Sequence, residues 1–174
     1  MKRILTSLAL SGMVATGLVA VSSAPAQADD RICRGTIGKR VVDGNVIVPR
    51  GAVCTLNGTT VKGDVEVKRN ATVRVKGAYV DGNIQGENHK WVAVRPLNGK
   101  RTVVDGNIQL KQGGGGNILN NRVDGDIQLF SNRGKFTVRN NTVDGNLQCK
   151  SNKPKPVGSK NRVKGNKEGQ CRGM

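Results

Sequence analysis

The chain has 174 residues, with 29 Lys and Arg against 12 Asp and Glu, a formal net charge of +17. Aromatic residues are few, with one Trp, one Tyr and two Phe. This composition argues against a conventional globular core, whereas a stack of Val, Ile and Leu needs no large side chains. The single histidine excludes most Ser-His and Cys-His catalytic schemes.

The first 28 residues have the pattern of a secretory signal peptide. Lys2 and Arg3 form a basic start, an apolar stretch follows over 4–21, and an Ala-Gln-Ala cleavage site lies at 26–28. A membrane anchor is the alternative, but Ser, Thr and Gly interrupt the apolar stretch. No later hydrophobic run approaches the ~20 residues of a spanning helix. We therefore expect an exported chain, 29–174, that forms one domain with no transmembrane segment. Its 27 basic and 12 acidic residues give a formal charge of +15.

One short motif, Val-x-Gly followed by Asn or Asp, recurs along this expected domain. Its glycines recur at a nearly constant step, and the longest step lies between the third and the fourth of them. They are Gly44, Gly63, Gly82, Gly106, Gly125, Gly145 and Gly165. A fixed period of about 20 residues is typical of a solenoid, in which each repeat packs on the next.

Within each repeat the pattern favours strands over helices. Apolar and polar residues alternate at 65–67 and 73–75, and turn signals follow at Asn70 and Gly77. We therefore predict an all-β parallel β-helix of about seven coils of ~20 residues. The repeated valine should point inward. The Gly-Asn pair should form a bend through positive φ angles, and stacked Asn side chains should bond from coil to coil.

The four cysteines have the same spacing as the coils. Cys33 and Cys54 are separated by about the length of one coil, and so are Cys149 and Cys171. Four cysteines allow three connectivities, and the coil period favours the 33–54 and 149–171 disulfides, one at each end of the solenoid. A metal site is the alternative, but the sequence has no Cys-x-x-Cys pair.

The longest step between repeat glycines predicts an insertion at 85–96, which contains His89 and Trp91. An insertion usually leaves a solenoid as a loop on one face, often the binding face. The alternative is a neutral loop, with Trp91 folded back over apolar surface. Four glycines at 113–116 are expected at a bend that requires flexibility or close packing.

Two segments near the C-terminus carry a resemblance to a known group of proteins. They are Asp144-Gly-Asn-Leu-Gln-Cys149 and Gly165-Asn-Lys-Glu-Gly-Gln-Cys171. They resemble small secreted actinobacterial proteins with right-handed parallel β-helix repeats, whose architecture is distantly similar to that of pectate lyases. The detailed motif covers only the C-terminal part of the expected domain. The resemblance implies a right-handed coil and an extracellular location, but little chemistry.

An aspartate precedes the repeat glycine in five coils, at Asp43, Asp81, Asp105, Asp124 and Asp144. If the coils stack in register, the last three lie in a row about 4.8 Å apart. Such a row could bind calcium, and a calcium-dependent polyuronate lyase (pectate or alginate) is one functional hypothesis. The alternative is that basic neighbours such as Arg122 and Arg162 neutralise the row.

The positive charge predicts adhesion to polyanions outside the cell, which is our first hypothesis. The expected partner is a teichoic-acid-like or anionic polysaccharide of the cell wall, with nucleic acid as a non-specific partner. The candidate contacts are Lys150, Lys153, Lys155 and Trp91. Under this hypothesis the protein is a non-enzymatic monomer without a cofactor. A third hypothesis is a structural module that associates end to end, and the charge could also serve only solubility.

Overall fold

The computed structural model describes residues 30–174, and the predicted signal peptide lies outside the described residues. Between residues 30 and 174 there are 22 short β-strands and no helix, so no helix there could cross a membrane. The all-β class is therefore confirmed.

The first 21 strands follow one another in seven groups of three, each group forms one coil, and one further strand ends the chain. The first three coils contain β1 (Arg31–Ile32), β2 (Gly35–Ile37), β3 (Val41–Val42), β4 (Val46–Val48), β5 (Val53–Asn57), β6 (Thr60–Val61), β7 (Val65–Val67), β8 (Thr72–Lys76) and β9 (Tyr79–Val80). Coils four and five contain β10 (Ile84–Glu87), β11 (Trp91–Arg95), β12 (Val103–Val104), β13 (Ile108–Lys111), β14 (Gly115–Leu119) and β15 (Arg122–Val123). The remainder are β16 (Ile127–Phe130), β17 (Phe136–Arg139), β18 (Thr142–Val143), β19 (Leu147–Lys150), β20 (Val157–Ser159), β21 (Arg162–Val163) and β22 (Lys167–Gly169).

The strands of successive coils pair in parallel and form three sheets. Sheet A has the order β1-β4-β7-β10-β13-β16-β19-β22, and sheet B has the order β2-β5-β8-β11-β14-β17-β20. Sheet C has the order β3-β6-β9-β12-β15-β18-β21. Equivalent residues pair directly, for example Val104 with Val80 and Val123. The predicted parallel solenoid of seven coils is confirmed.

Inside the three sheets, columns of β-branched and leucine side chains form the core. The repeated valine is buried in the first six coils, and Val163 packs against the core as a partly buried residue. A second inward column starts the six sheet A strands from β4 to β19, with Val46, Val65, Ile84, Ile108, Ile127 and Leu147. Lys167 occupies this position in the last strand and is half-buried.

The coil has three bends, and two of them use left-handed backbone. The bends between sheets A and B (A–B bends) include Asn70 with φ 57°. The bends between sheets B and C (B–C bends) include Gly77 with φ 55°. Both turns were predicted from the sequence. Asn and Gly adopt this conformation at low cost, and in the later coils the equivalent bends use Gln112, Ser131, Ser151 and Lys160.

The bend between sheets C and A (C–A bend) contains the repeat glycine, and its role differs from the prediction. Neither the repeat glycines nor the Asn or Asp residues that follow them have positive φ. Space requires the glycine instead. A Cβ at Gly125 would lie 2.4 Å from Asn107 Oδ1 and 2.7 Å from the Gly106 carbonyl oxygen. At the repeat glycines 63–165, the Cβ would lie 2.2–2.7 Å from the Asn or Asp oxygen of the preceding coil.

The oxygen that requires this space belongs to a hydrogen-bond ladder along the whole solenoid. Each Asn or Asp side chain accepts a bond from the backbone N–H of its equivalent in the next coil, for example Asp126 N–H to Asn107 Oδ1 at 2.7 Å. Asp30 caps the ladder by accepting bonds from the backbone and side-chain N–H groups of Asn45. The predicted ladder is confirmed.

Two further, buried ladders were not predicted. At the B–C bend, Asn121 donates to Asn141 and Asn141 donates to Asn161, at 3.0 Å each. At the A–B bend, Asn132 donates to Asn152 at 2.9 Å, and Asn152 donates to Gln170 at 3.0 Å. Because a buried amide without a partner is costly, these ladders hold the coils in register.

The two disulfides lie near the ends of the solenoid, as predicted. Cys33 and Cys54 have their Cα atoms 5.6 Å apart, and Cys149 and Cys171 have theirs 5.2 Å apart. Each disulfide joins neighbouring coils. The chain-entropy model assigns about 3 kcal/mol to each loop of this size.

The predicted insertion at 85–96 is wrong in its location. Trp91–Arg95 pair in register with Thr72–Lys76, so His89 and Trp91 belong to an ordinary coil. The extra residues follow at 96–102, where Leu97 and Lys100 form an isolated antiparallel bridge. The repeat period shows that one coil is longer than the others, but not which of its bends contains the additional residues.

The four-glycine segment provides close packing. Gly115 and Gly116 begin β14, and a Cβ at Gly116 would lie 2.1 Å from the Val92 carbonyl oxygen. A Cβ at Gly113 would lie 2.2 Å from Nδ1 of the buried His89. The glycines therefore leave room for the imidazole ring inside the solenoid.

Candidate functional site

The aspartate row lies beside sheet C, and its carboxylates are paired with basic side chains or with a hydroxyl group. Asp124 pairs with Arg122 at 2.7 Å, and Asp144 pairs with Lys164 at 2.9 Å. Asp105 accepts a hydrogen bond from the Tyr79 hydroxyl. In residues 30–174 no group of three His, Cys, Asp or Glu side chains could hold a metal ion.

These contacts change the acidity of the basic and hydroxyl partners. The hydrogen bond to Asp105 raises the pKa of Tyr79 to about 12. The hydrogen bond and charge of Asp124 raise the pKa of Arg122 above its usual range. The prediction that Arg122 neutralises Asp124 is therefore confirmed, whereas Lys164, rather than Arg162, reaches Asp144 from the next coil.

The four predicted polymer contacts lie near one edge of sheet B. Lys153 and Lys155 are exposed in the last A–B bend, and Lys150 is exposed at the end of β19. Trp91 is half-buried at the start of β11 and pairs with Gly115. Sheet register places Trp91 and Lys155 in one row, three coils or roughly 14 Å apart.

The charge is distributed unevenly around the solenoid. We define the basic face as sheet B together with its two flanking bends, residues 33–40, 49–59, 68–78, 88–102, 112–121, 131–141 and 151–161. This face contains 18 of the 27 basic residues between 30 and 174 and none of the 11 acids. The other described residues have 9 basic and 11 acidic side chains. The basic face therefore has a formal charge of +18, and the rest has −2.

The basic side chains of this face are accessible. Of the 18, Arg74 and Lys76 are half-buried and the other 16 are exposed. Lys68, which pairs with Glu66, is the only one with an acidic partner within 4.0 Å among the described residues. Because these positive charges repel one another, a bound polyanion would reduce their electrostatic repulsion as well as form new contacts.

Our sequence reasoning missed most of this face, although a signal for it exists. When the repeats are aligned on their glycines, every acid from Asp43 onward lies between one residue before and five residues after a repeat glycine. The other two thirds of each repeat contain no acid. The pattern appears only after the coils are in register, because the acids themselves are spread evenly along the chain.

A polar groove of about 420 Å³ lies on sheet A at the border of the basic face. Its charged lining residues are Glu66, Lys68, Arg69, Glu87 and Lys111, with amide side chains between them. A second, more apolar cleft of about 350 Å³ lies beside β20 and is lined by Val157 and Met174. The groove combines acceptors, donors and an excess of positive charge.

The molecule thus belongs to the class of parallel β-solenoids, closed near both ends by disulfides and basic on one side. No protein-family model, curated protein or solved structure matches the chain. The β-helix architecture that the resemblance to actinobacterial proteins implied is confirmed, whereas these comparisons do not show that family.

Proposed function

We propose that this protein is a secreted, non-enzymatic solenoid that binds anionic polymers outside the cell or at the cell wall through its basic face. The observation that carries the proposal is the exclusion of acids from this face, which has 18 basic residues and no Asp or Glu. A charge that served only solubility would not need to avoid acids on one side.

Two other features support this proposal. Disulfides are stable in oxidising surroundings, and both pairs of cysteines are joined. The backbone beneath the charges is held by in-register pairing and by the ladders, so the basic side chains are fixed to a regular support. A rigid support reduces the entropy that binding removes.

The test compares two variants that lose the same charge. The face variant carries Arg34→Gln, Arg69→Gln, Arg133→Gln and Lys153→Gln, all exposed on the basic face. The control variant carries Arg31→Gln, Arg162→Gln, Lys167→Gln and Arg172→Gln, all outside that face. Both lower the expected mature charge from +15 to +11.

Binding to a teichoic-acid or polygalacturonate column should weaken steeply with salt, because each neutralised anion releases a counterion. At about 0.7 per lost contact, the face variant should reduce the salt slope by about 3, and the control by less than 1. Equal slopes in the two variants, or retention that survives half-molar salt, would reject the proposal.

A further inference from the structure

The basic face has two edges, and they differ in continuity. Along the edge towards sheet A, each of the seven coils has an exposed basic residue. We call this set the A–B stripe, which consists of Arg34, Arg50, Arg69, Lys90, Lys111, Arg133 and Lys153. Lys111, the last residue of β13, lies one residue outside the basic face, and the other six lie in the A–B bends.

The edge towards sheet C is interrupted. Its exposed basic residues include Lys39, Arg95, Arg139 and Lys160. In the second coil this edge has Asn57 and Gly58 and no basic residue. In the fifth coil it has Leu119 and Asn120, and the adjacent Arg122 is paired with Asp124. These two coils divide the edge into separate clusters of unpaired positive charge.

From this difference, and resting on the function proposed above, we infer that the A–B stripe is a track for a single, linear polyanion lying parallel to the solenoid axis. Coils that pair in register are about 4.8 Å apart, so the seven basic residues span roughly 29 Å. A linear chain with one anion per monomer, such as a polyuronate or a polyphosphate, can contact each coil in turn. A planar membrane or a duplex would instead use both edges of the face.

The polar groove lies on this track and provides an internal probe. Lys68, Arg69 and Lys111 line it from the third and fifth coils, and Glu87 lies between them in the fourth. Glu87 pairs in register with Lys111, and its carboxylate has no basic partner within 4.0 Å among the described residues, whereas Glu66 is paired with Lys68. A polyanion that follows the track must pass Glu87, which repels it.

The experiment uses size-fractionated linear polyphosphate and oligogalacturonate, each in fractions whose contour lengths run from well below to well above the length of the A–B stripe. Affinity should rise steeply with contour length until the polymer spans all seven coils. For longer polymers it should rise only in proportion to the number of positions at which the polymer can lie along the stripe. The two polymers differ in anion spacing, so agreement between them shows that the length of a linear charged chain is recognised rather than its monomer. If affinity depends on contour length for only one of the two polymers, the track prefers the monomer of that polymer.

Variants on the two edges separate this inference from the proposed function. The track variant carries Arg50→Gln, Arg69→Gln, Lys90→Gln and Arg133→Gln, and its matched control carries Lys39→Gln, Arg95→Gln, Arg139→Gln and Lys160→Gln. The track variant should lose at least tenfold in affinity for the long polymers, and the control less than threefold. All eight side chains are exposed, so an unchanged melting temperature verifies that each variant is folded.

The remaining outcomes are distinct. Glu87→Gln should raise the affinity for long polymers severalfold, and an unchanged affinity would show that the chain does not pass the groove. Equal losses in the two edge variants, with tighter binding to phosphatidylglycerol vesicles or duplex DNA, would overturn the track and leave the basic face as the binding surface. If neither variant lost affinity, the proposed function would fail together with the track.

Discussion

Replacement of Gly125 by alanine tests the reason for the glycine repeat. Gly125 has no positive φ, so alanine fits its backbone and would stabilise the protein by ~0.4–1 kcal/mol through the unfolded chain alone. The new Cβ, however, would lie 2.4 Å from Asn107 Oδ1 and 2.7 Å from the Gly106 carbonyl oxygen. One of these neighbours must move.

The size of the effect follows from what is displaced. Overpacking a rigid site costs about 1–3 kcal/mol. Shifting Asn107 also breaks its 2.7 Å bond from the Asp126 N–H, which adds about 1–3 kcal/mol. Together these terms exceed the gain from the unfolded chain, and the expected net loss is about 3 kcal/mol. For a domain of this size that is roughly a 10 °C fall in melting temperature.

Thermal unfolding followed by circular dichroism, with the disulfides intact, measures this shift. Gly38→Ala is the matched control, because Gly38 also lacks positive φ and its Cβ would meet nothing within 4 Å. The control should change the melting temperature by no more than a few degrees. If Gly125→Ala were as stable as the control, the ladder would not be what requires glycine at the repeat.

Two further predictions concern titration. Burial lowers the pKa of His89 to about 4, from about 6.5 in an unfolded chain. Above pH 6.5 His89 is neutral in both states, so its protonation does not reduce the free energy of unfolding. As the pH drops to 4 that free energy should fall by about 3 kcal/mol, and His89→Gln should lose this pH dependence in melting experiments. Tyr79, the only tyrosine, should stay protonated at pH 10 in the folded protein because of its bond to Asp105. Ultraviolet titration checks this, and Asp105→Asn should return its pKa towards 10.

The sequence predicts the fold because the fold is a repeat. Each valine column, such as Val104 on Val80, appears in the sequence as one residue type at one phase of the period. The disulfides follow from the same period, since Cys149 and Cys171 lie one coil apart. Stacking in register turns sequence spacing directly into distance.

The same reasoning fails where a side chain acts on a neighbour that is not its equivalent. Gly125 is required by Asn107, the residue after the previous repeat glycine, and Gly113 is required by the ring of His89. The position of the extra residues at 96–102 also cannot be read from the period, which fixes only the total length of a coil. The basic face can be recognised only when the register of all the coils is known, because its residues come from every part of the repeat region.

The two disulfides affect the rate at which the folded molecule opens. Repeat proteins usually begin to unfold at their ends, where a terminal coil has only one neighbour. Here the first two coils are joined through Cys33 and Cys54, and the last strands through Cys149 and Cys171. An end coil that opens therefore stays tied to its neighbour and gains less chain entropy, so fraying from the ends is disfavoured. The protein should therefore resist proteases through a slow rate of opening, a kinetic durability that does not require a large equilibrium stability.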